Sequence, residues 1–285
     1  MNLSITSASR YVLGLLGRYT QGTVHSIYRK TINLSFGGQL AALQAEGSPL
    51  SPISLILPLT EEGMAALPLE IGEQAVVTSD SLSVGKDCTF FFESASLQDL
   101  KLKGALPEES LVLLEDALMA VVSSGHKGSF DVLFSCLPDA EEIPFLAVAG
   151  KRLKEASQAL EKSCWEAASG ELCRLIGLGL GLTPGGDDFL CGVLAGLILC
   201  GGNRHPFAQA LKEDIGLRLA DTNEISAAFL RCALEGQFSQ AVNSLSRLPD
   251  RKEISADFSA IGHSSGMDTL SGILYLLQRR KVFMH

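Results

Sequence analysis

The chain has 285 residues, 46% of them apolar and 19% charged, with a formal net charge of −9. That length admits one large domain or two ordinary ones, and the apolar content supports a sizeable core and argues against disorder. The acidic balance argues against a nucleic-acid-binding or anionic-membrane-binding surface, while leaving room for a small anion held at a local site.

Seven cysteines (Cys88, Cys136, Cys164, Cys173, Cys191, Cys200 and Cys232) include no C-x-x-C pair. Most lie in apolar runs, where cysteine acts as a small hydrophobe. They are expected to be reduced, and the protein cytoplasmic. The N-terminal apolar run Tyr11–Leu16 carries no cleavage pattern and reads as a docked helix rather than a signal peptide. The most apolar stretch, Phe189–Cys200, is shorter than the roughly twenty residues a membrane span needs. It reads as a core helix of a soluble protein.

From Thr23 to about Leu102 the pattern is that of strands. Val24–Phe36 alternates and is rich in β-branched and aromatic residues, and Ile53–Leu57, Ala75–Thr78 and Thr89–Glu93 are short apolar runs between turn signals. At Pro107 the regime changes. Pro107 with Glu108 and Glu109 opens a helix through Val122, acids in the first turn suiting the helix dipole. Phe130–Cys136 is open between strand and buried turn. Ile143–Ser169 reads as one or two amphipathic helices with Gly150 as a candidate break. Helices follow at Pro206–Leu219, about Glu224–Glu235, Gln237–Leu248 and near Thr269–Arg280, with Pro249–Lys252 as a charged loop. The fold class is therefore α+β: a β-rich N-terminal domain over 1–106, a small antiparallel sheet or barrel, then a mainly α-helical domain over 107–285.

The most informative stretch is Gly177–Leu190, G-L-G-L-G-L-T-P-G-G-D-D-F-L. Five glycines this close destabilise a segment unless its backbone must turn sharply or approach something closely. The turn also recurs. Gly181–Asp187 and Gly262–Asp268 both fit G-x-[ST]-x-G-x-D, and each runs into an apolar helix carrying another glycine, Gly192 or Gly272. Both place N–H groups, a hydroxyl and a carboxylate at a helix start, where about four N–H groups lack intrahelical partners. Capping explains part of this, Ser265-x-x-Asp268 being close to a capping box. An anion site is the other reading. In the first turn the glycine density exceeds what a cap requires, and Asp187 and Asp188 point about 100° apart, so one can cap while the other faces a cavity.

This is neither a Walker A loop, having no lysine, nor a dinucleotide fingerprint, since a helix precedes it. A third polar segment, Thr222-Asn223-Glu224-Ile225-Ser226, could cap the next helix or donate to a ligand. His263 is the one histidine inside these segments, with acid/base and structural roles both open. Asp187, Asp188 and Asp268 could hold a divalent cation such as Mg²⁺ through oxygen ligands, with phosphate from a substrate. No zinc-type spacing is present, and no dedicated metal site or cofactor is assigned.

These three segments, Gly179–Leu190, Thr222–Ser226 with Ala233–Gly236 behind it, and Gly262–Leu270, resemble a bacterial family that includes the smallest subunit of oxamate carbamoyltransferase, an enzyme of anaerobic allantoin breakdown. The resemblance runs over most of the chain, with its specific motifs in the C-terminal half. It implies a subunit working with two other kinds of subunit in phosphorolysis of oxalurate to oxamate and carbamoyl phosphate. The small anions of that reaction suit N–H-rich turns. Thr183, Gly185, Gly186, Asn223, Ser264, Ser265, Gly266 and Asp268 are then expected to bind substrate or phosphate. Asp187 or Asp188 would orient a substrate N–H or a metal, and His263 would relay a proton. The chain departs from the family at Gly185, where serine is common, which puts its ligand or rate in question. The alternatives are a non-catalytic scaffold subunit or a stand-alone metal-dependent hydrolase.

Overall fold

The computed structural model describes residues 1–123, 129–135, 143–262 and 264–283. The chain divides into two compact units, Met1–Leu100 and Lys101–His285. Residues just after the division belong to the helical unit, since Leu102 N donates to Gly236 O and Leu106 N to Leu199 O.

The N-terminal unit is a ten-stranded half-barrel sheet. In chain order its strands are β1 (Asn2–Ser4), β2 (Ser7–Ser9), β3 (Gln21–Ile27), β4 (Thr31–Phe36), β5 (Gln39–Gln44), β6 (Ser54–Ile56), β7 (Gln74–Val77), β8 (Ser81–Val84), β9 (Cys88–Phe91) and β10 (Ser96–Gln98). Their spatial order is β1-β9-β8-β7-β3-β4-β5-β6-β2-β10. The alternating stretch Val24–Phe36 is the hairpin β3–β4, turned at 28–30 and bulged between Val24 and Ser26. Gly37 and Gly38, both with positive φ, turn β4 into β5, as a tight hairpin demands. The sheet is mixed rather than purely antiparallel, because β1–β9, β2–β10 and β5–β6 pair in parallel. Two short helices, α1 (Arg10–Leu16) and α2 (Glu61–Ala65), start on Ser9 and Thr60, whose side chains accept from Val12 N and Gly63 N. Val12, Leu16, Leu34, Phe36 and Phe90 lie in this unit's own core.

The second unit is helical: α3 (Glu108–Val122), α4 (Pro144–Glu161), α5 (Trp165–Cys173), α6 (Gly185–Leu199), α7 (Pro206–Leu217), α8 (Glu224–Leu234), α9 (Gln240–Ser244), α10 (Arg251–Ser259) and α11 (Ser265–Leu277). Phe130–Phe134 is a buried 3₁₀ turn. Gly150 does not break α4, which runs through it; the break comes at Ser163, with φ of 57°. The segment read as a charged loop opens α10 instead, because the Asp250 side chain accepts from Lys252 N and Glu253 N and starts a helix there. Gly185 and Gly186 lie inside the core helix, which begins four residues before Phe189.

The centre of this unit is the pair α6 and α11. A Cβ on Gly192 would meet Thr269 O at 2.1 Å and Gly272 Cα at 3.0 Å; a Cβ on Gly272 would meet Phe189 O at 2.0 Å and Val193 N at 3.0 Å. These contacts are reciprocal. The two helices lie side by side, starting at the same end, with backbone on backbone where only glycine fits. One four-residue stripe, Asp188–Gly192–Gly196, faces another, Asp268–Gly272–Leu276, and a Cβ on Gly196 would meet Leu276 Cβ at 2.9 Å. Phe189 packs its ring 5.2 Å from Phe130 and 5.6 Å from Tyr275.

Cys88, Cys164, Cys173, Cys191, Cys200 and Cys232 are free thiols, and Cys136 lies outside the described residues. Among the described residues no helix is long and apolar enough to cross a membrane.

Candidate functional site

The reciprocal glycines fix how the two turns correspond. Gly192 pairs with Gly272 and Phe189 with Thr269, so the counterpart of Asp268 is Asp188, one residue later than the G-x-[ST]-x-G-x-D alignment gives. In this register the shared pattern is G-x-D-x-L-x-G, at Gly186–Gly192 and Gly266–Gly272. Gly186 and Gly266 play one role. A Cβ on the first would meet Leu175 O at 2.0 Å, and on the second Phe258 O at 1.9 Å. Each presses its helix start against the carbonyl of a preceding segment, so both are packing glycines.

The two helix starts meet through hydroxyls: Thr183 Oγ1 and Ser265 Oγ are 2.7 Å apart. Asp188 and Asp268 sit behind that bond, 9% and 0% exposed. Asp268 Oδ1 accepts from Phe130 N at 2.6 Å and Ser129 Oγ at 2.9 Å. Its other oxygen, Oδ2, and Asp188 Oδ2 are buried with no hydrogen-bond partner among the described residues. A Cβ on Gly185 would stand 3.0 Å from Asp268 Oδ2, so the glycine leaves that oxygen room.

Both carboxyls hold their protons more tightly than ordinary aspartates. Burial pushes Asp268 up to about 6, against the pull of Phe130 N–H, Ser129 and Ser264. Burial and then the charge of Asp268 push Asp188 well above the usual range, and the Ser265 and Thr183 hydroxyls oppose this. Desolvation disfavours the charged form, and a like charge nearby adds to it.

Asp187 points elsewhere. Its Oδ1 accepts from Gly177 N at 2.9 Å and its Oδ2 from Thr222 Oγ1 at 2.6 Å. Burial raises its pKa, which Thr222, Gly177 and Ser226 oppose. It is the tie that folds the glycine loop onto α6. Asn223 does similar work: its Oδ1 caps α8 at Ile225 N and Ser226 N, and its Nδ2 donates to Leu182 O at 2.9 Å. Gly177, Gly179 and Gly181 all have positive φ, so the loop's glycines supply turns that other residues resist. On either side of Gly181, Leu180 and Leu182 project outward, 80% and 54% exposed.

Two expectations change here. Ser265-x-x-Asp268 forms no capping box: the residue before α11 is Ser264, with no side-chain cap, and Asp268 reaches sideways to Ser129 and Phe130. The three-carboxylate cluster also does not form, because Asp187 is diverted to Gly177 and Thr222. No group of three metal-binding side chains exists among the described residues. The geometry thus brings Thr183, Gly185, Asp188, Ser264, Ser265 and Asp268 together. It gives Gly186, Asp187, Asn223 and Gly266 supporting positions, and His263 lies outside the described residues. Sequence reasoning missed Ser129 and the Phe130 N–H. Neither leaves a signal, since a backbone donor 138 residues away in sequence is invisible to any local pattern.

Comparison with known families gives two matches. The model of oxamate carbamoyltransferase subunit AllH matches residues 175–277, which hold both turns, and that of the AllH family N-terminal domain matches residues 4–97, which hold the sheet. Neither the curated proteins nor the solved structures yield a match. The chain belongs to the AllH family of oxamate carbamoyltransferase subunits.

Proposed function

We propose that the chain is a working subunit of a carbamoyltransferase complex, and that the paired helix starts hold the small anions of its reaction. The observation that carries this is the Thr183–Ser265 contact, which makes one site of two turns 82 residues apart. Helix starts present N–H groups and a partial positive charge, suited to phosphate or a substrate carboxylate. In the reaction the family implies, an oxygen of phosphate attacks the carbamoyl carbon of oxalurate. The bond from that carbon to the oxamate nitrogen breaks, and the leaving nitrogen takes the proton that phosphate gives up. Hydroxyls and N–H groups aimed at the intermediate's oxyanion lower the barrier. Asp188 and Asp268 form the buried floor beneath the Thr183–Ser265 contact. The exposed Leu180 and Leu182 at its edge support a site completed by partner subunits, because leucines this open are the kind that interfaces cover.

The test is reconstitution with the partner subunits. Asp188→Asn should leave folding and assembly intact and abolish carbamoyl phosphate formation from oxalurate and phosphate. Unchanged turnover in the assembled complex would sink the proposal.

A further inference from the structure

The two helix starts place two buried carboxylates where an anion is meant to bind, and this poses an electrostatic problem. Each helix N-terminus is worth about half a positive charge, so together they offset about one of the two carboxylates. With both ionised, about one negative charge is left over, in a site where each carboxylate keeps one buried oxygen without a partner among the described residues. An ionised oxygen left so is costly, and a phosphate brought beside it would be repelled. Something positive belongs there.

We propose that Asp188 Oδ2 and Asp268 Oδ2, with the hydroxyls of Thr183 and Ser265 beside them, are the protein ligands of a hard divalent cation, Mg²⁺, that receives phosphate at this site. The donor set fits. It is all oxygen, with two carboxylates, and Mg²⁺ is commonly held by one or two carboxylates while substrate phosphate and water fill its other positions. Sulfur and imidazole, which softer metals prefer, are absent from the four ligands named. Gly185 fits as well, since its missing Cβ would stand 3.0 Å from the Asp268 oxygen. A doubly charged ion turns the leftover negative charge into a positive one of similar size, so an acidic site becomes a receptor for phosphate. The inference rests on the carbamoyltransferase reading and adds to it the agent that tolerates the anion.

The test uses the full chain at pH 7.5, first in EDTA and then with Mg²⁺. Mg²⁺ should raise the melting temperature of the wild type, and Asp188→Asn or Asp268→Asn should each remove most of that rise. Calorimetric binding of inorganic phosphate should tighten about tenfold or more with Mg²⁺, as expected when the ligand sees the metal-bound state alone. A Mg²⁺ response undiminished in both variants, or absent from the wild type, overturns the cation site. Phosphate that binds equally well in EDTA also overturns it, yet leaves the carbamoyltransferase reading standing. A Mg²⁺ response that needs both aspartates supports the site even if the reconstituted complex makes no carbamoyl phosphate, so the two failures are distinct.

Discussion

At the start of α6, Asp187 and Asp188 divide two tasks; at the start of α11 the same two positions are Met267 and Asp268. The second residue of each pair lies at the contact between the two helix starts and carries an oxygen with no partner among the described residues. The first residue differs because the approach differs. Before α6 lies a loop with glycines at 177, 179 and 181 in positive φ, and such a loop needs an anchor, which Asp187 supplies through Gly177 N and Thr222 Oγ1. Before α11 lies helix α10, whose Phe258 carbonyl abuts Gly266, so the first position can be an ordinary buried Met267, 3% exposed. The shared geometry brings the second residues together, and the unshared first residue of α6 is the one that ties down the glycine loop.

The largest effect should come from breaking the shared geometry. Gly192→Ala and Gly272→Ala each drive a methyl to about 2 Å from a backbone carbonyl, and overpacking of this severity costs about 3 kcal/mol or more. Because the contacts are reciprocal, the two losses should be similar in urea unfolding. Tolerance of one with loss of the other would show that the two helices are not equivalent partners.

Next in size is the pH dependence. Asp268 holds its proton to about pH 6 when folded, well above the ordinary aspartate value of about 3.9. Between those values the folded chain binds the proton more often than the unfolded chain. Stability is therefore fully present below about pH 4 and falls as the pH rises through about 6, by on the order of 2–3 kcal/mol. Asp188 shifts in the same direction and carries the decline further. Thermal melting in EDTA should show this fall toward neutrality, and a rise over the same window would contradict it.

A smaller effect separates the unshared residues. Asp187→Ala strands the Gly177 N–H and the Thr222 hydroxyl and should cost about 2 kcal/mol, with faster amide exchange confined to 177–184. Met267→Ala should cost a similar amount through the cavity it leaves without loosening that loop. Equal exchange in both variants would remove the distinction drawn between the two positions.

Much of this was legible in the chain. The switch at Pro107 from period-two runs to helical patterns gave the two-part fold, and the recurrence of glycine, hydroxyl and carboxylate pointed to two related turns. Register was misread. G-x-[ST]-x-G-x-D weighs loop residues, whereas packing is decided by Gly192 and Gly272, and only the close approach of two backbones shows that Asp188 matches Asp268. Helix α10 escaped because Arg251, Lys252 and Glu253 look like a solvated loop until Asp250 is seen to cap them. Gly150 misled in the opposite way: a glycine inside a helix costs only about 1 kcal/mol, which the packing of α4 offsets. The Ser129–Phe130 support for Asp268 had no local signal at all.

The central claim is that Asp188 and Asp268 form one site, and a double-mutant cycle tests it most directly. Stabilities of the wild type, Asp188→Asn, Asp268→Asn and the double variant would be measured by urea unfolding at pH 7.5 in EDTA. Two buried like charges in one site relieve each other when either is removed, so the double variant should gain less than the sum of the singles, by about 1 kcal/mol. Additivity within about 0.3 kcal/mol would mean that the two carboxylates do not sense each other, and the paired site would be contradicted.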